Sequence, residues 1–338
     1  MSLARRRPSG LRRIPTRFLL LALLLGLPGL QGCQPPDTAR GWECIAPANP
    51  GGGWDLTCRT AARALGELGL APGMMRVSNM PGAGGGIAYA HTVSQRTGDG
   101  NVLVAASPAT ILRLAQGQFA HLTEEEVRWV GAVATDYGIL AVQPGAPWET
   151  LEELLDQWRR DPASIVVSGG SAVGGQDHMK VLLLADRAGI DPFRVRYVPF
   201  DGGGEAMTAL LGGFVNVFSG DVTQGQAQLE AGNIRVLTVM AESRVGGEMA
   251  QVPTARELGY PVEWVTWRGF YAPAGISDEA YEGWVAVLDR LAHSDEWATV
   301  RAQARLDAYF LAGEPFEAFV RAQVTELRSL SRRLGLIP

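Results

Sequence analysis

The sequence predicts an α/β protein of two lobes with a cleft between them, and three observations carry that expectation. Strand-like runs alternate with helix-like runs, often with a glycine turn between them, which predicts parallel strands joined by crossover helices. The chain beyond residue 32, about three hundred residues, exceeds the roughly 250–300 that a single core holds, so a division into lobes follows. The chain also crosses between lobes twice, near 138–147 and near 262–270, as a hinged clamp requires. The expected division is 41–140 with 266–338 for lobe one and 141–265 for lobe two.

Residues 1–32 read as an export signal. Six arginines precede a short apolar run, Phe18 to Leu27, that is too brief for an ordinary spanning helix. The run leads into Leu30-Gln31-Gly32-Cys33, which resembles a bacterial lipoprotein cleavage site and makes Cys33 the expected lipidation site; plain secretion with cleavage elsewhere is the alternative. The expected location is periplasmic, with the lipid as membrane contact. Removing the six arginines takes the formal net charge from −5 to −11. So acidic a protein, without a basic run, makes a poor nucleic-acid binder. It also repels anions at long range, so capture of an anion would rest on local backbone dipoles. Outside the cytoplasm the two remaining cysteines, Cys44 and Cys58, can form a disulfide over the first glycine turn. Two buried free thiols are the other reading.

Lobe one opens with a strand over Trp42 to Ala46, the turn Pro47 to Asp55, and a helix over Leu56 to Leu68. A helix that starts in a glycine turn presents unpaired backbone N–H groups, and glycine lets a ligand approach them closely. Asp55 suits the N-cap. A second strand–turn–helix follows: Met75 to Ser78, Asn79 to Gly86, Ile87 to Ser94. Two such turns facing one cleft make a site for an anion. A buried strand over Val102 to Ala106 then ends at Ser107-Pro108, a helix spans Ala109 to Ala115, and two strands, Trp129 to Ala134 and Gly138 to Gln143, lead out of the lobe.

Lobe two begins with a helix from Thr150, with Leu151, Leu154, Leu155 and Trp158 at helical spacing. Strands over Ile165 to Ser168, Val195 to Val198, Asn216 to Ser219 and Ile234 to Ala241 alternate with helices over Gln176 to Ala188, Glu205 to Leu211 and Thr223 to Ala231. Extended runs Val262 to Val265 and Gly269 to Ala272 return to lobe one, which helices Ser277 to His293, Glu296 to Ala304 and Pro315 to Leu334 complete.

Enzyme templates fit badly. A nucleotide-binding P-loop needs Gly-Lys before Ser or Thr, whereas the only lysine, Lys180, follows Met179. There is no Gly-x-Ser-x-Gly elbow. His91, His121, His178 and His293 lack metal-ligand spacing, so neither a catalytic residue, a metal nor a cofactor is expected.

Pro50-Gly51-Gly52-Gly53-Trp54-Asp55 with Arg59, then Pro81-Gly82-Ala83-Gly84-Gly85, resembles the substrate-binding proteins of tripartite tricarboxylate transporters, the Bug family. The resemblance continues through Asp99-Gly100, Ser168 to Ser171 with His178, Val198-Pro199-Phe200 before Gly202-Gly203-Gly204, Pro253-Thr254, Trp267-Arg268-Gly269 and Ala272 to Gly275, covering nearly the whole chain after the signal. It implies a type II, Venus-flytrap periplasmic-binding-protein fold and a monomeric receptor. Such a receptor captures a small carboxylate and delivers it to the transporter's membrane subunits. The glycine-turn amides and bridging waters would take one carboxylate. The implied lobe-one contacts are Gly52, Gly53, Asp55, Ala83, Gly84 and Ser107, with Gly85 beside them. Those of lobe two are Ser168, Gly170, Ser171 and Asp221.

Other candidates come from position alone. Trp54 either walls the cleft or packs outward; Ser107 reaches the ligand or caps its helix; His178 donates to a carboxylate or packs. Thr135 and Ser171 are hydroxyl candidates at strand ends facing the opening. The family usually shows Tyr-Lys before the Gly202 turn, where this chain has Phe200-Asp201. Asp201, with Asp221, therefore argues for a mono- or dicarboxylate over citrate. A receptor presenting ligand to a membrane signalling sensor is the alternative role, and an enzyme of unknown reaction the more distant one.

Overall fold

The structure, a computed structural model, describes residues 41–338; the signal segment and Cys33 lie outside the described residues. Strands β1 (Glu43–Ala46), β2 (Arg76–Asn79) and β3 (Val102–Ala106) are parallel in the order β2-β1-β3, and each feeds a helix: α1 (Gly53–Glu67), α2 (Gly86–Gln95) and α3 (Pro108–Ala115). The long β4 (Val127–Val142) leads to α4 (Leu151–Arg160) and a second parallel set. That set is β5 (Val166–Gly169), α5 (Gln176–Arg187), β6 (Arg196–Pro199), α6 (Gly203–Leu211), β7 (Val217–Asp221) and α7 (Val222–Glu230), with strand order β7-β5-β6. The chain continues through β8 (Arg235–Met240), β9 (Val265–Pro273), α8 (Asp278–Ala292), α9 (Asp295–Gln303), β10 (Asp307–Ala312) and α10 (Glu314–Arg333).

The strands buried on both faces explain their apolar runs. Val102, Val104 and Ala106 of β3 pack in one cluster with Tyr89 and Phe316, while Leu103 and Ala105 pack in another with Trp284 and Trp297. The second half repeats the scheme: Leu140 and Val142 face Leu154 and Met179, and Ile139 and Ala141 face Ala206 and Leu210. This alternation is the period of two expected of a strand covered on both sides. At the outer face, Thr150 and Glu153 cap α4 reciprocally, each side chain accepting from the other's backbone N–H.

Three expectations need correcting. The two strands expected over Trp129 to Ala134 and Gly138 to Gln143 are one. Thr135, Asp136 and Tyr137 continue the antiparallel ladder opposite Trp267, Thr266 and Val265, so β4 runs unbroken from one half into the other. The sheets are also mixed rather than purely parallel: β4 pairs antiparallel with β7, β8, β9 and β10, and β3 with β9. Finally, β10 was not expected at all. It is a half-exposed edge strand with a register shift between Ala308 and Leu311, and its residues show no apolar alternation. Among the described residues no helix is long and apolar enough to cross a membrane.

Candidate functional site

Because β1, β2 and β3 are parallel, α1, α2 and α3 all start at one edge of the sheet. The first turn passes through Gly51 at φ +85° and enters α1 at Gly53, with Gly52 at the N-cap and no side chain capping it. Asp55 is therefore not the cap residue. It sits buried in the first helical turn, where its carboxylate accepts from the Gly51 N–H (2.8 Å), Arg59 Nε (2.9 Å) and Asn79 Nδ2 (2.8 Å). Burial alone would raise its pKa, but Arg59 and the Gly51 and Asn79 hydrogen bonds outweigh that and hold it below the ordinary carboxylate value. Since Asn79 also donates to the Ala48 carbonyl (3.0 Å), Asp55 fastens the first turn to the second.

The second turn places four successive residues at positive φ: Gly82 (+125°), Ala83 (+50°), Gly84 (+62°) and Gly85 (+96°). Such a run is accessible at low cost only to glycine-rich sequence, and it leads into α2 without a side-chain cap. Trp54 covers it: a Cβ on Gly85 would lie 3.3 Å from the indole, whose Nε1 donates to Ser107 Oγ at 3.1 Å. Ser107 itself is buried and caps α3, accepting from the Ala109 N–H (3.3 Å). Trp54 and Ser107 thus lock three helix starts together.

In the second half, several expected contacts prove to be internal. Ser168 is fully buried and donates to the Ala206 and Val217 carbonyls, so it faces the core. Thr135 lies mid-strand in β4, buried, bonded to the Asp136 carbonyl, and does not face an opening. A Cβ on Gly170 would collide with the backbone of Gly202 and Gly203, so this glycine lets two turns touch. Ser171 Oγ accepts from the Asp177 N–H (3.0 Å), and the Ser171 carbonyl accepts from the Tyr197 hydroxyl (2.7 Å). His178 stacks on Tyr197 with ring centroids 4.5 Å apart, and its Nδ1 accepts from the Gly174 N–H (3.0 Å). Burial lowers its pKa to about 4, so the ring is neutral at pH 7 with its proton on Nε2. Gly202 is the uncapped start of α6, and Asp201 beside it is exposed, with no hydrogen-bond partner among the described residues.

Asp221 is not available to a ligand. Lys180 Nζ, fully buried, reaches Asp221 Oδ1 (2.6 Å), Asp177 Oδ1 (2.9 Å) and the Gly220 carbonyl (2.9 Å). Arg268 Nη2 meets Asp221 Oδ2 (3.3 Å) and Asp136 Oδ2 (2.9 Å), and Thr223 and Thr266 donate to the same carboxylates. Burial, with Asp221 next in weight, pushes Asp136 up; burial likewise pushes Asp177 up against Lys180. For Asp221 burial acts upward too, but Lys180 and Arg268 outweigh it and hold this carboxyl below its ordinary value. The cluster joins both strands that pass between the halves, β4 and β9, to β7 and α5. Arg268 Nη1 also comes within 2.6 Å of where a Cβ on Gly53 would stand, so the first turn is fitted around this guanidinium. In the sequence Lys180 stands out only as the sole lysine, outside any P-loop, and Arg268 only as part of the Trp267-Arg268-Gly269 motif. Asp177 lies three residues from Lys180, within one helical turn, but the other carboxylate partners lie 41, 47 and 132 residues away, beyond any spacing rule.

Cys44 of β1 and Cys58 of α1 form a disulfide beneath the first turn, with Cα atoms 5.7 Å apart. Two surface cavities, about 550 and 290 Å³, lie along α8, β10 and neighbouring elements, and no site residue lines them.

Residues 60–336 match the family model of the tripartite tricarboxylate transporter family receptor. The chain belongs to that family. It is 30% identical over 309 residues to protein BugT of Bordetella pertussis, covering 88% of this chain and 89% of BugT. Two solved structures share the receptor fold. MatC from Rhodopseudomonas palustris with bound malate is 21% identical with a TM-score of 0.72, covering 86% of this chain and 98% of MatC. An R. palustris protein with adipate is 22% identical with a TM-score of 0.77, covering 87% and 97%. A tripartite tricarboxylate receptor is a periplasmic solute-binding protein and not an enzyme.

Proposed function

We propose that this receptor closes on a small mono- or dicarboxylate between its two halves and hands it to the membrane subunits of a tripartite tricarboxylate-type transporter. The observation that carries the reading is where helix caps are missing. Outer helices α4, α8 and α9 have Thr150, Ser277 and Ser294 as side-chain caps. Of the six helices that start at the strand ends of the two parallel sets, α1, α2, α5 and α6 begin at Gly52, Gly85, Gly175 and Gly202 with no side-chain cap, whereas α3 is capped by Ser107 and α7 starts at Asp221, whose N–H donates to Gln224 Oε1. Helix α10, with Pro315 in its first turn, is the one outer helix that shares this lack. Uncapped starts with glycine backbones offer N–H donors and positive dipole ends to an anion, each end worth about 0.3–1 kcal/mol when exposed and more when partly buried. The malate of MatC and the adipate of the second structure are both dicarboxylates, in keeping with this class.

The moving bodies are 41–140 with 266–338 and 141–265, hinged on β4 and β9, and ligand shifts an open–closed equilibrium. The receptor works as a monomer held at the membrane by lipid on Cys33 after loss of 1–32. Exposed Asp201 disfavours a third anionic group. Calorimetric titration with malate, adipate, citrate and the corresponding diamides tests the reading. Dicarboxylates should bind, citrate more weakly and the diamides not at all; a diamide that binds as well as its acid would refute recognition of charge.

A further inference from the structure

We infer that Arg113 is the residue that recognises the ligand's charge, its guanidinium and the Gly82–Gly85 turn taking one carboxylate between them; this rests on the carboxylate reading above. Arg113 lies on α3, six residues past the Ser107 cap. Its side chain crosses the second turn, with Nε 3.3 Å, Cγ 3.7 Å and Cδ 3.9 Å from where a Cβ on Gly84 would stand. A side chain at 84 would press against Arg113, and the φ of +62° there favours glycine in any case.

The guanidinium is half-buried, yet among the described residues its one hydrogen bond is from Nη1 to Gln116 Oε1, a neutral acceptor, at 3.3 Å. Among the described residues no carboxylate pairs with it. Other sheltered cations differ: Lys180, Arg268, Arg96 and Arg159 each meet at least one carboxylate. Arg235, Arg301 and Arg328 donate to backbone carbonyls. A cation removed from water without an anion is costly, and burial lowers the Arg113 pKa accordingly, with only the Tyr197 hydroxyl acting the other way.

The position is also that of a bridge. Gln116, which accepts from Arg113, donates through Nε2 to the Gly174 carbonyl (2.8 Å) in the loop that opens α5. Tyr197, the one titratable group that acts on the Arg113 pKa, belongs to β6 and its hydroxyl donates to the Ser171 carbonyl. Arg113 therefore stands between the second glycine turn and the second half of the chain. A carboxylate arriving there finds a planar fork of donors with no competing acid, the arrangement suited to bidentate pairing.

The test is titration of wild type, Arg113→Gln and Arg113→Lys with malate and adipate, alongside apo melting curves. Loss of a charge-assisted pair should weaken Arg113→Gln by about 10- to 100-fold, with Arg113→Lys between it and wild type. Apo Arg113→Gln should melt no lower than wild type, because the charge removed has no partner to lose. Wild-type affinity in Arg113→Gln, or a variant that melts several degrees lower or fails to fold, overturns the inference and makes Arg113 structural. If wild type itself binds no carboxylate, the receptor reading falls first and this assignment with it.

Discussion

Two arginines flank the two glycine turns, and they stand in opposite electrostatic states. Arg268, against Gly53, is buried and answered by Asp136 and Asp221. Arg113, against Gly84, is half-buried and answered by no carboxylate among the described residues. The same residue type beside the same kind of turn thus serves two ends. A paired buried charge holds strands and helices in one arrangement, whereas an unpaired one waits for an anion from outside. Substitutions in the first region should cost stability, and substitutions in the second should cost ligand.

The largest effect expected on that comparison is Lys180→Met. It leaves Asp177 and Asp221 buried without their shared cation, and breaking a buried pair from one side costs about 3–5 kcal/mol. Urea unfolding would show the midpoint fall sharply. A midpoint within experimental error of wild type would mean the cluster tolerates imbalance, and the contrast with Arg113 would lose its force.

A somewhat smaller effect comes from pH. His178 has its pKa lowered from 6.5 to about 4 in the folded state. Protonation therefore favours unfolding: the neutral ring's contribution is fully present above about pH 6.5 and is lost as pH falls toward 4. The shift sets an upper bound of about 3 kcal/mol. Melting curves between pH 7 and 4 should show His178→Gln less acid-sensitive than wild type. Identical slopes would place the titration elsewhere.

Much of this architecture is legible in the sequence because it follows from local chemistry. The Pro50–Asp55 and Pro81–Gly85 turns announce themselves by glycines that the backbone needs at positive φ, and Thr150 with Glu153 announces a helix start. What was not legible depends on contacts between distant residues. Asp136 looks like a strand break until Arg268 and Thr223 are seen to hold it inside β4. Asp221 looks like a ligand contact until Lys180 is found against it. Arg113 carries no local signal within its helix, since nothing in the sequence around it reveals that it lies against Gly84. The half-exposed β10 carries too little apolar pattern to be told from loop.

The smallest structural change bears on the central claim, that the backbone of the second turn holds the ligand. Gly84 sits at φ +62°, so Gly84→Val strains one residue by roughly 1–2 kcal/mol, while its side chain occupies the approach to the turn amides beside Arg113. Titration of Gly84→Val with malate and adipate, on protein shown by its melting curve to be folded, tests the claim most directly. The account predicts a folded receptor, slightly less stable, that has lost the dicarboxylate. A folded Gly84→Val that binds with wild-type affinity would contradict it.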